Sequence, residues 1–338
     1  MPGTEAALPA TLITGFLGSG KTTLLNGLLA HPAMADTAVI VNEFGEVGLD
    51  HLLIETAFED AVLLKSGCIC CTVRGDLVDT MTSLAARRAR GEIPAFARVA
   101  IETTGLADPA PIMHLLMAEP ALAPLYRLDH VVTTVDAANA LAQLEAHYEA
   151  AKQAAVADRL VLTKTDLVDA STQGAVLRRL AALNPAAPVA LVVQGRVEPA
   201  VLFAAAESGS HDDRLAAAAA LGHAHHHADG DDHMIAHHGI STVSLVREAP
   251  VPWPALRQWL VSLASLKGPD LLRIKGIVQV EGRAGPVVIH GVQHVFHPPV
   301  ELRRWPDADR RTRITIITRN IRAADLAQSF EAALALDD

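Results

Sequence analysis

The sequence predicts an α/β fold: a mostly parallel sheet with helices on both faces, followed by a smaller α+β C-terminal domain. Three observations predict it. Over the first two hundred residues, short apolar runs alternate with amphipathic or Ala-rich stretches, which is the rhythm of βαβ units. The first such unit is joined by a glycine-rich turn, Gly15 to Thr22, reading Gly-Phe-Leu-Gly-Ser-Gly-Lys-Thr. Beyond residue 240, β-like runs follow one another without intervening helices, as in an antiparallel sheet.

Taken in order, Thr11–Thr14 is a β-rich apolar run and Thr22–Ala30 is helix-compatible. Further strands are expected at Ala38–Val41, Ala61–Leu64, Arg98–Glu102, His130–Val135, Arg159–Thr163 and Val189–Val193. The stretches between them, Asp76–Arg90, Pro109–Ala118, Ala138–Val156 and Ser171–Leu183, have the composition of helices. Ser208–His238, rich in His, Asp, Gly and Ala, reads as an exposed, mobile linker. After it come a strand at Ser241–Arg247 and a helix at Pro254–Leu266, where Pro254 is tolerated in the first turn. Strands at Leu271–Val280, Val287–His290, Gln293–His297 and Arg313–Thr318 and a helix at Ala323–Leu336 complete the chain. The expected organisation is a domain at 1–207, the linker at 208–239 and the α+β domain at 240–338.

Half of the 338 residues are hydrophobic and a fifth are charged, which is enough for a sizeable core. A formal net charge of −10 argues against broad binding to nucleic acid or to an anionic membrane. Arg303, Arg304, Arg310, Arg311, Arg313, Arg319 and Arg322 cluster near the C-terminus and read as a solvated strand face and turn. No apolar run approaches the roughly 20 residues of a membrane span, and the first ten residues lack the regions of a signal peptide. Cys68, Cys70 and Cys71 cannot staple distant segments together, so a cytoplasmic, metal-binding or redox-active cluster is expected.

Gly15–Thr22 matches the phosphate-binding loop G-x-x-x-x-G-K-T, with a strand leading in and a helix leading out. Gly15, Gly18, Ser19 and Gly20 would turn backbone N–H groups inward, and Thr22 and Thr23 open a helix whose positive end favours phosphate. Lys21 would reach the β- and γ-phosphates, and the Thr22 hydroxyl would bind Mg²⁺. Val99–Glu102 ends in a carboxylate that can hold Mg²⁺ through water, and Gly105 can sense the γ-phosphate by its N–H. Thr163, Lys164 and Asp166 form Thr-Lys-Thr-Asp, similar to a guanine-recognition element with Thr in place of the commoner Asn. The Asp166 carboxylate can accept from guanine N1–H and the 2-amine, a donor pair that adenine lacks. With Thr163 in place of Asn, the motif gives less ground for assigning this residue a part in bracing the phosphate loop. The Gly-broken acidic loop Asn42–Asp50 suits a segment that moves with nucleotide state.

Thiolates are soft donors that take Zn²⁺, with Co²⁺, Ni²⁺ or Cu⁺ also possible. Three thiols in four residues do not all reach one ion comfortably, so ligands from elsewhere are expected, Glu46 before His114. Buried apolar thiols and a local disulfide switch are the other readings of the cluster. The linker imidazoles from His211 to His238 and their neighbouring aspartates read as accessory metal capture. His290, His294 and His297 read as partly buried structural residues.

Together, Gly-Phe-Leu-Gly-Ser-Gly-Lys-Thr-Thr, Asn-Glu-Phe-Gly-Glu-Val-Gly, Gly-Cys-Ile-Cys-Cys, Glu-Thr-Thr-Gly-Leu-Ala-Asp-Pro and Thr-Lys-Thr-Asp resemble the CobW family, P-loop GTPases that act as metallochaperones or metal-insertion factors. The likeness covers nearly the whole chain, including Leu-Leu-Arg-Ile-Lys-Gly and Gly-Val-Gln-His in the C-terminal part. It implies slow Mg²⁺-dependent hydrolysis of GTP in which Lys21, Glu102 and Gly105 take part. It also implies a transition-metal site, zinc or a neighbour such as cobalt or nickel, at Cys70, then Cys71 and Cys68, with Glu46 beside them. Val41 stands where some relatives carry a further Glu. A client metalloprotein and a monomeric or homodimeric state are the implied partners. The alternatives are a metal buffer or sensor with nucleotide as a structural ligand, a cobalt-linked factor for cobalamin synthesis or nitrile hydratase maturation, and a P-loop kinase preferring ATP.

Overall fold

The computed structural model describes residues 7–42, 74–203 and 237–335. The expected strand Ala61–Leu64 and the linker up to residue 236 lie outside them. The chain divides into two compact units. The first gathers Met1–Ala140, Arg159–Gly174 and Val189–Ala204. The second gathers Leu141–Asp158, Ala175–Pro188 and everything from Ala205.

The first unit is built on six parallel strands, β1 (Leu8–Gly15), β2 (Thr37–Asn42), β3 (Arg98–Thr103), β4 (Tyr126–Asp136), β5 (Arg159–Thr163) and β6 (Val189–Leu191). Their order across the sheet is β2-β3-β1-β4-β5-β6. The β1–β3 and β1–β4 registers place Ile13 beside Glu102 on one side and beside Val132 on the other. Side chains alternate along a strand, so Ile13 and Leu12 face opposite ways, yet both are buried. That is the mark of a parallel sheet covered on both faces. On the Ile13 face, helix α1 (Lys21–Leu29) packs Leu25 and Leu29 against Val39 and Ala100, and Leu24 and Leu28 against Val132 and Val161. Helices α2 (Arg74–Ala89) and α3 (Ala110–Ala118) follow, and the Tyr126 hydroxyl at the start of β4 donates to the Met81 carbonyl of α2 (2.9 Å).

The expected helix Ala138–Val156 is two helices, α4 (Ala140–Ala146) and α5 (Tyr148–Ala155), separated by His147 in extended backbone (φ −122°, ψ 117°). Neither Gly nor Pro marks the break in the sequence. Helix α6 (Ala170–Leu183) matches its expectation, and a short helix α7 (Pro199–Leu202) was not foreseen.

The second unit holds an antiparallel sheet of six strands: β7 (Ile240–Arg247), β8 (Leu271–Val278), β9 (Val287–Val292), β10 (Val295–Phe296), β11 (Val300–Glu301) and β12 (Thr312–Arg319). The order is β10-β9-β8-β12-β7, and β11 also pairs with β9. Helices α8 (Trp253–Lys267) and α9 (Ala323–Leu334) cover one face. There Leu256, Trp259 and Leu263 of α8 and Phe330 of α9 join Val243, Ile274, Ile289 and Ile316 of the strands in one core. The Trp259 indole meets the Phe330 ring edge-on at 5.1 Å and donates to Ser329 Oγ (3.0 Å). On the other face, Asp158 accepts from both Arg273 and Lys275 of β8.

Candidate nucleotide-binding site

In a parallel sheet the loops that build a ligand site leave the carboxyl ends of the strands. Here β1, β3, β4 and β5 end in Gly15, Thr103, Asp136 and Thr163. An open cavity of about 860 Å³ lies at that edge, lined by the phosphate loop, the segment from Glu102 to Ala107, Thr22, Thr23 and Lys164.

The phosphate loop takes its shape from positive φ at Gly15 (144°), Gly18 (69°) and Gly20 (91°). A Cβ at Gly15 would also lie 2.2 Å from Thr134 Oγ1 and 2.4 Å from its carbonyl oxygen, so glycine is required there twice over. Helix α1 opens at Lys21 behind Gly20, with no side-chain cap. That end of the helix lines the cavity, where its positive pole suits an anion. Lys21 folds back over the loop, its Nζ donating to the carbonyls of Gly15 (2.9 Å) and Phe16 (3.2 Å).

Buried hydroxyls hold the loop from below. Ser19 Oγ and Thr134 Oγ1 share a hydrogen bond of 2.6 Å, so the Ser19 side chain faces the protein interior. Thr163 Oγ1 donates to the Ser19 carbonyl at 2.7 Å and lies 3.1 Å from that of Val135. Thr163 thus braces the loop although it replaces the commoner Asn: the γ-hydroxyl of a strand-end threonine reaches the loop directly. Thr103 Oγ1 donates to Thr14 Oγ1 (2.8 Å), tying β3 to β1 beneath the site.

At the mouth, Thr22 Oγ1 donates to Glu102 Oε1 at 3.1 Å, and Glu102 is only 5% exposed. Gly105 lies against the phosphate loop, where a Cβ would come within 2.8 Å of the Leu17 Cα and backbone N. Leu17 and Leu106 stand half-exposed on this rim.

Lys164 takes the left-handed conformation (φ 54°, ψ 32°), and its Nζ donates to Asp136 Oδ2 at 2.7 Å. Asp136 also accepts from Asn139 Nδ2 (2.8 Å) and the Ala138 N–H (2.9 Å). Burial pushes this carboxyl up, but the Lys164, Asn139 and Ala138 bonds outweigh it and hold it below the usual range. Asp166 is exposed in the 3₁₀ turn Thr165–Leu167 that follows. Asp136, Asn139, Thr134 and Thr14 escaped the sequence reading. The available signal for Asp136 was its place at the carboxyl end of a buried strand.

Glu46, Cys68, Cys70, Cys71 and the linker histidines up to His233 lie outside the described residues. Among those described, no group of three or more His, Cys, Asp or Glu side chains is placed to hold a metal ion. His114 is half-buried on α3. The His290 and His297 rings lie 4.9 Å apart on the second unit. The C-terminal arginines are largely matched by local carboxylates: Arg311 and Arg313 by Asp309 and Asp307, Arg322 by Asp325, Arg319 by Asp270. The Arg311 hydrogen bond brings the Asp309 carboxyl down to about 2. Their charges are neutralised within the second unit.

The family model described as CobW/HypB/UreG, nucleotide-binding domain, matches residues 9–191, and the cobalamin synthesis protein cobW C-terminal domain matches 240–334. The zinc chaperone YjiA of Escherichia coli K12 is 31% identical over 323 residues, covering 96% of this chain and 98% of that protein. The zinc chaperone CobW of Pseudomonas aeruginosa is 32% identical, covering 98% and 93%. The crystal structure of Zn(II)-bound YjiA GTPase from E. coli superposes with a TM-score of 0.73 at 29% identity, covering 97% of this chain and 99% of that one. The chain belongs to the CobW family.

Proposed function

We propose that this chain is a GTP-hydrolysing metal chaperone. It binds guanine nucleotide with Mg²⁺ in the 860 Å³ cavity, cleaves GTP to GDP and phosphate, and delivers a transition metal, zinc foremost, to a client metalloprotein. The observation that carries the reading is the meeting at one sheet edge of an uncapped helix start, Lys21, the Thr22–Glu102 pair and the Lys164–Asp136 pair.

Thr22 Oγ1 and Glu102 Oε1, 3.1 Å apart, are hard oxygen donors that would hold Mg²⁺, Thr22 directly and Glu102 through water. When bound there, Mg²⁺ would neutralise charge on the β- and γ-phosphates. Lys21 exchanges its two carbonyl partners for phosphate oxygens. The α1 N–H groups and the Gly105 N–H meet the remaining oxygens, Gly105 at the γ end. Lys164, pinned by Asp136, lays its stem along the base face, and Asp166 accepts the two guanine donors. Water attacks the γ-phosphorus, the bond from it to the β–γ bridging oxygen breaks, and GDP and inorganic phosphate leave. With no cation supplied in trans, turnover is slow, about 10⁻² s⁻¹ or below.

Gly-Cys-Ile-Cys-Cys, at 67–71, is the donor set for the cargo metal: Cys70 first, then Cys71 and Cys68, with Glu46. The names of the relatives support zinc. The γ-phosphate orders the loops around residues 42–50 and 102–105, tightening the thiol site, and hydrolysis releases it. Three neighbouring thiols stay reduced in the cytoplasm, where we place the protein. Among the described residues, no helix is long and apolar enough to cross a membrane.

Competition between GTP and ATP for the Mg²⁺-loaded protein tests the nucleotide part. GTP should win by about a hundredfold or more, because a buried donor–acceptor mismatch with adenine is costly. Equal binding of ATP would refute guanine recognition, and phosphate appearing on an acceptor other than water would make the chain a kinase.

A further inference from the structure

A second cavity, of about 580 Å³, lies wholly within the second unit, between α8 and the chain that leaves β9. Helix α8 has more apolar surface than its own core uses. Leu256, Trp259, Leu260 and Leu263 face the core and Trp253 packs against it, while Val261 and Ala264 line the groove from outside that cluster. Val261 is 51% exposed. A helix at a domain surface needs one apolar stripe for folding, so the exposed Val261 is surplus to it. Phe296, Pro298 and Pro299 form the opposite wall.

Among the lining residues, Arg257 carries the formal charge. Arg257, His294 and His297 line the groove and no carboxylate does, in a chain of net charge −10. Arg257 is exposed and makes no ion pair among the described residues. From Trp253 to Ala264 the helix rises about 16 Å, the length of about five extended residues. Pro298 and Pro299 offer no N–H, so strand addition along that wall is blocked and side chains must carry recognition.

We propose that this groove docks a linear peptide segment of a partner protein, about five residues long, with bulky apolar side chains and at least one carboxylate placed against Arg257. The inference does not depend on the nucleotide site.

The test is to pan a random heptapeptide phage library on the full chain, with counter-selection on an Arg257→Glu variant. Affinities of synthetic copies of the winners are then measured by fluorescence anisotropy. Both Arg257→Glu and Val261→Glu alter exposed positions, and circular dichroism confirms that each variant folds. Winners should be rich in aromatic or branched residues together with Asp or Glu. Each variant should weaken them by about tenfold or more, as expected for anchor contacts, with GTP hydrolysis unchanged. The proposal fails if no peptides are enriched, if the winners are basic, or if they bind both variants like the parent. It also fails if binding appears only once residues 208–236 are deleted, since the chain would then fill its own groove. A concentration-dependent dimer abolished by Val261→Glu would assign the groove to a second copy and equally overturn it.

Discussion

Replacing Gly105 by Ala should damage catalysis while leaving diphosphate binding nearly intact. The added Cβ would sit 2.8 Å from both Cα and N of Leu17, backbone atoms of the phosphate loop. That is about 0.6 Å short of the 3.4 Å at which ordinary contact begins, and close-packed backbone does not yield cheaply. The loop after β3 and the phosphate loop must therefore part by roughly this distance. The Gly105 N–H then misses the γ-phosphate, and Glu102 and Thr22 separate. A displacement of about 1 Å at reacting groups is worth about a hundredfold in rate, so 0.6 Å should cost between about tenfold and a hundredfold. Single-turnover hydrolysis of radiolabelled GTP reads the loss, and titration with fluorescent GDP and with a non-hydrolysable GTP analogue separates chemistry from binding. GDP affinity should change less than about threefold, while the preference for triphosphate collapses. A variant that hydrolyses GTP at the parental rate would refute the placement of Gly105 at the γ-phosphate.

Thr163→Val removes the hydroxyl that holds the Ser19 carbonyl and should cost about 1–3 kcal/mol of stability and about tenfold in GTP affinity, with Thr163→Ser retaining most of both; calorimetric melting and nucleotide titration check this. Asp166→Asn replaces a double acceptor by a group that also donates, so GTP affinity should fall by about a hundredfold or more while xanthosine triphosphate, with a carbonyl in place of the amine, gains; competition binding reads the exchange. His290 sits where desolvation, then Arg273, Lys275 and His297, push its pKa well below the ordinary value, Asp158 opposing. The unfolded chain therefore binds a proton near pH 6.5 that the folded chain refuses, and stability from this group, full above about pH 6.5, drains away as pH falls. His290→Gln should flatten the decline in melting temperature between pH 7 and pH 5, and parallel curves would contradict the assignment.

The parts of the architecture that the sequence made legible are those in which local pattern and packing agree. The apolar runs at β1, β3 and β5 are buried in a parallel sheet, so their composition announced them, and the phosphate loop is local by nature. What escaped was set by register. Thr134 reaches Ser19, and Asp136 reaches Lys164, because β4 lies between β1 and β5, a neighbourhood that no short window contains. The turn at His147 carries no Gly or Pro to betray it, and β11 is a two-residue edge strand below the length at which alternation can be seen. Thr163 shows a role that residue type leaves open. Residue type alone gave little ground for a bracing role, yet its position at a strand end puts the hydroxyl 2.7 Å from the loop. On the second unit, the C-terminal arginines could be read as a local surface feature because their partners Asp307, Asp309 and Asp325 are close in sequence.

The coupling of nucleotide state to metal grip is tested most directly by titrating zinc into the protein against a chromophoric chelator, once with GDP and once with a non-hydrolysable GTP analogue. The account predicts one tight site that strengthens by about 5- to 150-fold with the triphosphate, the same factor by which zinc strengthens triphosphate binding, and that vanishes in Cys70→Ser. Equal zinc affinity in the two nucleotide states, or a tight and nucleotide-sensitive site surviving in Cys70→Ser, would contradict it.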